Sequence, residues 1–323
     1  MDKSNDYEII LTDGCNRQCS FCYINKTNYI ETEKNVNIFV DNVLKYQKNS
    51  PDKFNIYMFG GEPLLNYPGV KIIYNRLIDD SRCNLHIITN GDMIKKHMID
   101  EINQCFLHLS TYDIFDKKSW DDYNWKYHGF QKSVCLYTLT EDSLFKYNEL
   151  KDIYNHLGFE HHIHFSHDPN SWKTISCDKL YLTIYEIFKH ELMCYADEFS
   201  NSNRYASNFI ESYLSRYIQM LFDSNMQKSF CVNETKKTFF MGKFIGSCIR
   251  LKNKNIEYTG TKCNKCVYNK CCTSGCNAEL TPEVNDKLCI IEKAKFDSIR
   301  DFVKSGHPKL ERILHTYFQL LNK

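Results

Sequence analysis

The sequence has no long apolar run. Nothing approaches the roughly eighteen consecutive apolar residues of a membrane-spanning helix. Its first ten residues, MDKSNDYEII, lack the apolar core of a secretory signal. Together these absences point to a cytoplasmic protein with no membrane partner. Neither sign of charge is in excess, with 41 Lys+Arg against 40 Asp+Glu. That argues against a nucleic-acid partner, since such proteins usually carry a clear basic surplus. Internal repeats and low-complexity tracts are also missing, and no histidine falls between Cys231 and Cys289. What the chain does have is cysteine, 16 residues in 323. In a reducing compartment structural disulfides rarely persist, so clustered thiols point to metal.

From residue 7 to about 166 short apolar runs alternate with helical patterns. Strands are expected at YEIILT (7–12), FNIYMFG (54–60), LHIIT (85–89), FLHLST (106–111), SVCLYTL (133–139) and HHIHFS (161–166). Between the first two, Val36, Phe39, Val40, Val43 and Leu44 form one helix face. Further helices are expected at 69–78, near 93–103 and at 144–158, the last stopped by Gly158. Six strand–helix units in series imply an α/β fold with a parallel sheet, either a barrel or a doubly wound sheet. The expected domains are a barrel over 1–176, bridging helices over 177–224, a cysteine-rich segment over 225–289 and a C-terminal helix over 290–323. The cysteine-rich segment has little periodicity, so metal is expected to hold it together.

The loop after the first strand reads GCNRQCSFCY and places Cys15, Cys19 and Cys22 in ten residues. Loops at the carboxyl ends of parallel strands are where such folds carry chemistry. A structural zinc site requires a fourth protein ligand, and none lies nearby. Three thiolates with one open position suit a [4Fe–4S] cluster whose fourth iron takes an outside ligand.

With its C-x3-C-x2-C spacing and Phe21 just before the third cysteine, the sequence resembles the radical S-adenosylmethionine (SAM) enzymes. FGGEP (59–63), ITNG (88–91) and LSTYD (109–113) follow in the order that family shows. The resemblance implies a partial (β/α)6 TIM-like barrel. In the family the free iron chelates the amino and carboxylate groups of SAM, and Phe21 would pack against the adenine. By the same resemblance Gly60 and Gly61 let backbone approach the ligand, Glu62 accepts from its ammonium, and Asn90 and Ser110 line the pocket.

Cys263, Cys266, Cys272 and Cys276 read C-x2-C-x5-C-x3-C, with Cys289 beyond and Cys231 and Cys248 upstream. This arrangement is similar to the SPASM extension of radical SAM enzymes, which holds up to two auxiliary [4Fe–4S] clusters. The likeness assigns Cys263, Cys266, Cys272 and Cys289 to an outer cluster and Cys231, Cys248 and Cys276 to an inner one. The family pattern has four residues between its glycine and the next cysteine, whereas five separate Gly242 from Cys248. No cysteine shortly precedes Cys231, so the inner cluster is left with an open iron or with Cys271 or Cys194 as its fourth ligand. A four-cysteine zinc ribbon is the alternative.

The resemblance implies that a reduced cluster cleaves SAM to a 5′-deoxyadenosyl radical, which abstracts hydrogen from unactivated carbon. SPASM-containing relatives act mostly on peptide or protein side chains, by crosslinking, epimerisation or oxidation. A small precursor peptide as substrate, and an external electron donor such as flavodoxin or ferredoxin, are the implied partners. With six residues ahead of Tyr7, any leader peptide is expected to dock on the barrel, the bridging helices or a separate partner. An anaerobic sulfatase-type maturase, a small-molecule radical SAM dehydrogenase and a zinc-stabilised binding protein are the rival readings. Catalytic candidates are Cys135, Cys177 and Cys194 as hydrogen donors, and His164, which shares a strand face with His162. The stretch 112–130 is expected to be an amphipathic helix burying Trp120 and Trp125, or else one wall of a peptide cleft.

Overall fold

The computed structural model describes residues 6–22, 24–166, 168–199, 237–246, 267–268 and 285–308, with 213–214, 216–218, 220–221 and 310. Two compact units emerge from the chain. The first comprises 1–138, 148–164 and 232–255, and the second 139–147, 165–231 and 256–323.

The first unit is built on the eight-stranded sheet. Strands β1 (Asp6–Thr12), β2 (Phe54–Gly60), β3 (Cys83–Thr89), β4 (Phe106–Ser110), β5 (Lys132–Leu139) and β6 (His161–Phe165) lie side by side in chain order. The pairings from β1 to β5 are parallel. A doubly wound sheet reverses direction part-way; this one winds steadily one way, as a barrel does. It is a mixed α/β fold with a parallel sheet of the partial-barrel kind.

Alternation along the strands separates two faces. Ile9, Ile56, Met58 and Leu107 are wholly buried on the face toward the helices, while Asn55, Tyr57, His108 and Ser110 keep some exposure on the other. Helix α1 (Glu33–Gln47) turns Val36, Phe39, Val40 and Val43 to the buried face, capped by Thr32, whose hydroxyl accepts from Asn35 N at 3.2 Å. Asn66 caps α2 (Tyr67–Leu77), and its amide also donates to Leu11 O (3.2 Å) and Glu31 O (2.9 Å), fixing the end of β1. Helix α3 (Lys96–Ile102) follows β3. The expected helix over 144–158 is two pieces, α5 (Glu141–Leu144), with a Thr140–Ser143 capping box, and α6 (Tyr147–Leu157).

Helix α4 (Trp120–Gly129) forms where expected but turns a different face inward. Tyr123 and Lys126 are buried, while Trp120 and Trp125 are half-buried, their indole nitrogens donating to Ile114 O and the Asp122 carboxylate. Strands β7 (Lys237–Phe240) and β8 (Lys243–Gly246) were not expected; β7 adds in parallel to the free edge of β1, and β8 folds back on it. Met241 (φ 51°) and Gly242 (φ 75°) make the two-residue turn between them.

In the second unit, α7 (Cys177–Phe199) packs against α8 (Asn285–Lys304). Between them lies buried Lys295, whose ammonium bonds Glu292 (2.6 Å) and Tyr213 (3.0 Å) and sits 4.8 Å from the Phe165 ring centroid. Of the expected helix over 204–223, residues 213–214, 216–218 and 220–221 are helical, and the rest lies outside the described residues. Among the described residues no helix is long and apolar enough to cross a membrane.

Candidate functional site

The cysteine loop leaves β1 and is closed at its feet. Thr12 Oγ1 donates to Tyr29 O (2.6 Å), and the Asp13 carboxylate accepts from Tyr29 N (2.8 Å) and the Thr27 hydroxyl. Thr12 and Ile30 form an antiparallel bridge. Within the loop, Cys22 N donates to Cys19 O at 3.1 Å, a turn that draws these two residues together. Two N–H groups converge on the Cys15 sulfur, Arg17 N at 3.4 Å and Asn90 Nδ2 at 3.8 Å. The Cys19 thiol is pushed above its ordinary pKa, first by burial, then by the neighbouring Cys22 and Cys15. Cys19 therefore lies within electrostatic reach of both other thiols.

The glycines of FGGEP press the end of β2 onto this loop. Gly61 N donates to Thr12 O and Glu62 N to Gly14 O, both at 2.8 Å. A β-carbon on Gly60 would lie 2.1 Å from Thr12 O, and one on Gly61 2.0 Å from Gly14 O. Glu62 is wholly buried. Its Oε1 accepts from Thr89 Oγ1 (2.7 Å) and Leu64 N (3.0 Å), and its Oε2 from Asn90 N (2.8 Å). Burial raises its pKa despite these bonds. One carboxylate thus joins the ends of β2 and β3 beside the cysteine loop.

A second clasp comes from the loop side. The Arg17 guanidinium grips the Asp92 carboxylate with two nitrogens, Nε at 2.6 Å. Asn16 adds a bond to Asp92 (2.8 Å), and Asn90 Nδ2 donates to Asn16 Oδ1 (2.8 Å). Burial alone would raise the Asp92 pKa; the Arg17 hydrogen bonds reverse that and hold it below the ordinary value. Sequence reasoning missed this clasp, although Arg17 is the one charged residue between Cys15 and Cys22. Asp92→Asn is expected to leave the fold intact and loosen the loop. Faster loss of iron to a chelator from the reconstituted variant is the expected result; unchanged loss would show that the clasp holds nothing.

At the end of β4, Ser110 is half-buried. The Phe21 ring lies 6.1 Å from that of Tyr112, tilted by 43°, so the loop's aromatic is beside the β4 terminus. Tyr112 was also missed, being exposed and unremarkable in sequence.

Residues 9–114 match the family model of the radical SAM superfamily. This segment is a radical SAM domain. Such a domain implies a [4Fe–4S] cluster and SAM. The chain is 30% identical over 97 residues to Uncharacterized protein MJ0907 of Methanocaldococcus jannaschii, covering 29% of this chain and 33% of that protein. It is 25% identical over 104 residues to the Radical SAM cyclopropyl synthase TigE of Paramaledivibacter caminithermalis, covering 27% and 22%. The matched stretches thus span about a third and about a fifth of these relatives.

Solved structures resemble the chain beyond the radical SAM domain. Native anSMEcpe with bound AdoMet and Cp18Cys peptide superposes with a TM-score of 0.63 at 15% identity, over 96% of this chain and 99% of that one. Streptococcus suis SuiB bound to S-adenosylmethionine gives 0.56 at 16%, over 85% and 71%. At such identities the likeness is one of fold.

The radical SAM domain brings together Cys15, Cys19, Cys22, Gly60, Gly61, Glu62 and Asn90, with Phe21 and Ser110 at the β4 end. It does not bring Cys135 there: that thiol is wholly buried, facing Tyr154 of α6. His164 is exposed on β6, with His162 beside it at 6.4 Å between rings. Cys177, Cys194 and Cys289 belong to the second unit; Cys177 and Cys289 are exposed, and the Cys194 sulfur lies 3.5 Å from His190 Nε2. Cys231, Cys248, Cys263, Cys266, Cys272 and Cys276 lie outside the described residues.

Proposed function

We propose that the chain is a radical SAM enzyme that modifies a peptide or protein by crosslinking, epimerising or oxidising a residue. The observation that carries this is the junction of the cysteine loop with FGGEP and Asn90. The donor set fits the cofactor: three thiols on one clamped loop, with two N–H groups directed at the Cys15 sulfur. Cys15, Cys19 and Cys22 would hold the cluster as thiolates. Phe21, Gly60, Gly61, Glu62, Asn90 and Ser110 would form the SAM pocket. When bound, the cluster and SAM supply a 5′-deoxyadenosyl radical able to take hydrogen from unactivated carbon. The chain's own part is to hold the target C–H in line and keep water out.

Asn90 has two duties in this reading, donating to the Cys15 sulfur and, through its backbone, orienting Glu62. Glu62 keeps acceptor capacity on Oε2 beyond the bond from Asn90 N, which suits an ammonium. A peptide substrate is favoured because anSMEcpe and SuiB, the latter also solved with the precursor peptide SuiA, share the fold. The test is anaerobic reconstitution, chemical reduction and chromatography for 5′-deoxyadenosine. Its formation supports the reading, and a colourless, air-stable protein that leaves SAM intact would replace it with a zinc-stabilised binding protein.

The 225–289 segment we assign to a SPASM-type region with two auxiliary clusters, Cys263, Cys266, Cys272 and Cys289 on the outer and Cys231, Cys248 and Cys276 on the inner. About 12 iron per chain with matching sulfide is then expected after reconstitution. About 4 iron with one or two zinc would retain the radical SAM cluster and make the C-terminal region a structural staple.

A further inference from the structure

Two aromatic rings meet at the edge of the proposed SAM pocket, each on a different segment of the radical SAM domain. Phe21 stands on the cysteine loop, directly before Cys22, and Tyr112 on the turn that follows β4. Their centroids are 6.1 Å apart and their planes tilted by 43°, so the rings open as a wedge instead of stacking. Tyr112 is 51% exposed. An exposed aromatic is ordinary by itself, and what singles this one out is the seat beneath it.

The residues on both sides of Tyr112 are anchored. Thr111 is wholly buried; its N–H donates to Leu136 O of β5 at 3.0 Å, and its hydroxyl bonds Tyr154 of α6. On the other side, the Asp113 carboxylate accepts from the Tyr123 phenol of α4. Wholly buried Ile114 accepts from Trp120 Nε1 at 2.8 Å, and its N–H returns to Thr111 O at 3.3 Å. The backbone of the turn is therefore fixed while the Tyr112 ring projects from it. A second tie runs to the cysteine loop. Tyr123 is buried, and its phenol faces the Arg17 guanidinium as well as Asp113. Arg17 is built into that loop, its N–H on the Cys15 sulfur at 3.4 Å and its carbonyl accepting from Lys26 Nζ. One buried phenol thus joins the turn carrying Tyr112 to the loop carrying Phe21.

We propose that Tyr112 is a second aromatic wall for the adenine of SAM, opposite Phe21, and that Tyr123 is a positioning residue that sets the opening between the two rings. The proposal rests on the radical SAM reading and adds to it two residues outside the cysteine, FGGEP and ITNG stretches. A flat base suits a wedge of two π-faces, because stacking on aromatic side chains needs no further polar partner. The wedge also stands beside a metal-binding thiol, Phe21 and Cys22 being adjacent in the chain. A bound base would cover the ring surface that Tyr112 leaves exposed. Tyr123 acts only through Asp113 and Arg17. Its loss would let the turn and the loop drift apart without removing any group that touches the cluster.

The test measures equilibrium binding of SAM and of methionine to the full, anaerobically reconstituted protein, with iron counted on the same samples. Methionine keeps the amino and carboxylate groups of SAM but has no adenine. Tyr112→Ala is expected to weaken SAM binding about tenfold, the size of one lost base–aromatic contact, and to leave methionine binding and iron unchanged. Tyr112→Phe should restore SAM binding, since the ring rather than the hydroxyl forms the wall. Tyr123→Phe should weaken SAM by a smaller factor, again without moving methionine or iron, which a merely structural role would not predict. Wild-type SAM affinity in Tyr112→Ala would overturn the second wall and leave the ring to a substrate side chain. Equal weakening of SAM and methionine would overturn it too, by showing damage to the cluster site in general. Unchanged SAM affinity in Tyr123→Phe would remove the positioning role. The radical SAM reading fails differently, in wild-type protein that holds no iron and binds neither compound, and the aromatic wall then falls with it.

Discussion

Replacing Cys19 with alanine is expected to reduce 5′-deoxyadenosine formation to background and to remove about 4 iron per chain. Cys19 is the informative choice because it stands between the other two in sequence, and its thiol senses both electrostatically. A two-thiolate loop offers a cuboidal cluster too few protein ligands, and alanine supplies none. The loop itself should survive, since its closure runs through Thr12, Asp13 and Tyr29 rather than through the cysteines. The measurement is iron per chain beside SAM cleavage, with Cys83→Ala as the control. Cys83 begins β3, at the opposite end of that strand from Asn90, so its loss should leave both readings unchanged. A Cys19→Ala variant that kept its iron and cleaved SAM would place the cluster elsewhere and end the assignment.

The six parallel strands were legible because each is a short apolar run bounded by polar loops. Their order followed from the regular strand–helix alternation, once the sheet was known to wind one way. The cysteine loop, FGGEP and ITNG were legible for another reason, that each is a contiguous stretch at a strand end. What could not be read was whatever depends on register between strands. His86 and His108 are unremarkable in sequence, and pairing of Ile87 with Leu107 is what brings their rings together. Arg17 and Asp92 are likewise separated by 75 positions and meet because the loop folds over the end of β3. The β7–β8 hairpin was hidden by its surroundings, since four-residue strands within a polar, cysteine-rich stretch leave too little periodicity to register. In α4 the tryptophans drew the buried face wrongly. Tyr123 and Lys126, three apart, define it, and Lys126 satisfies its ammonium by bonding Asp122.

Gly61→Ala is expected to destabilise the protein by about 3 kcal/mol or more and to prevent stable cluster loading. The reason is space, not backbone conformation, for Gly61 is not among the positive-φ glycines. Its missing side chain faces Gly14 O at 2.0 Å, Gly14 C at 2.5 Å and Asp13 O at 2.7 Å, all backbone atoms with no rotamer to yield. Relief requires either β2 or the cysteine loop to retreat, which breaks the 2.8 Å bonds Gly61 N–Thr12 O and Glu62 N–Gly14 O. Gly158 supplies the contrast. Its φ of +68° is unusual, but a β-carbon there would meet nothing within 4 Å. Gly158→Ala should therefore carry only the left-handed backbone cost, about 1–2 kcal/mol, and load iron normally. Denaturant unfolding of both variants and iron retention after gel filtration separate the two cases. If Gly61→Ala loaded iron like Gly158→Ala, the close seating of FGGEP on the cysteine loop would not be what shapes the site, and the role of the glycine pair would have to be sought in direct contact with the bound ligand.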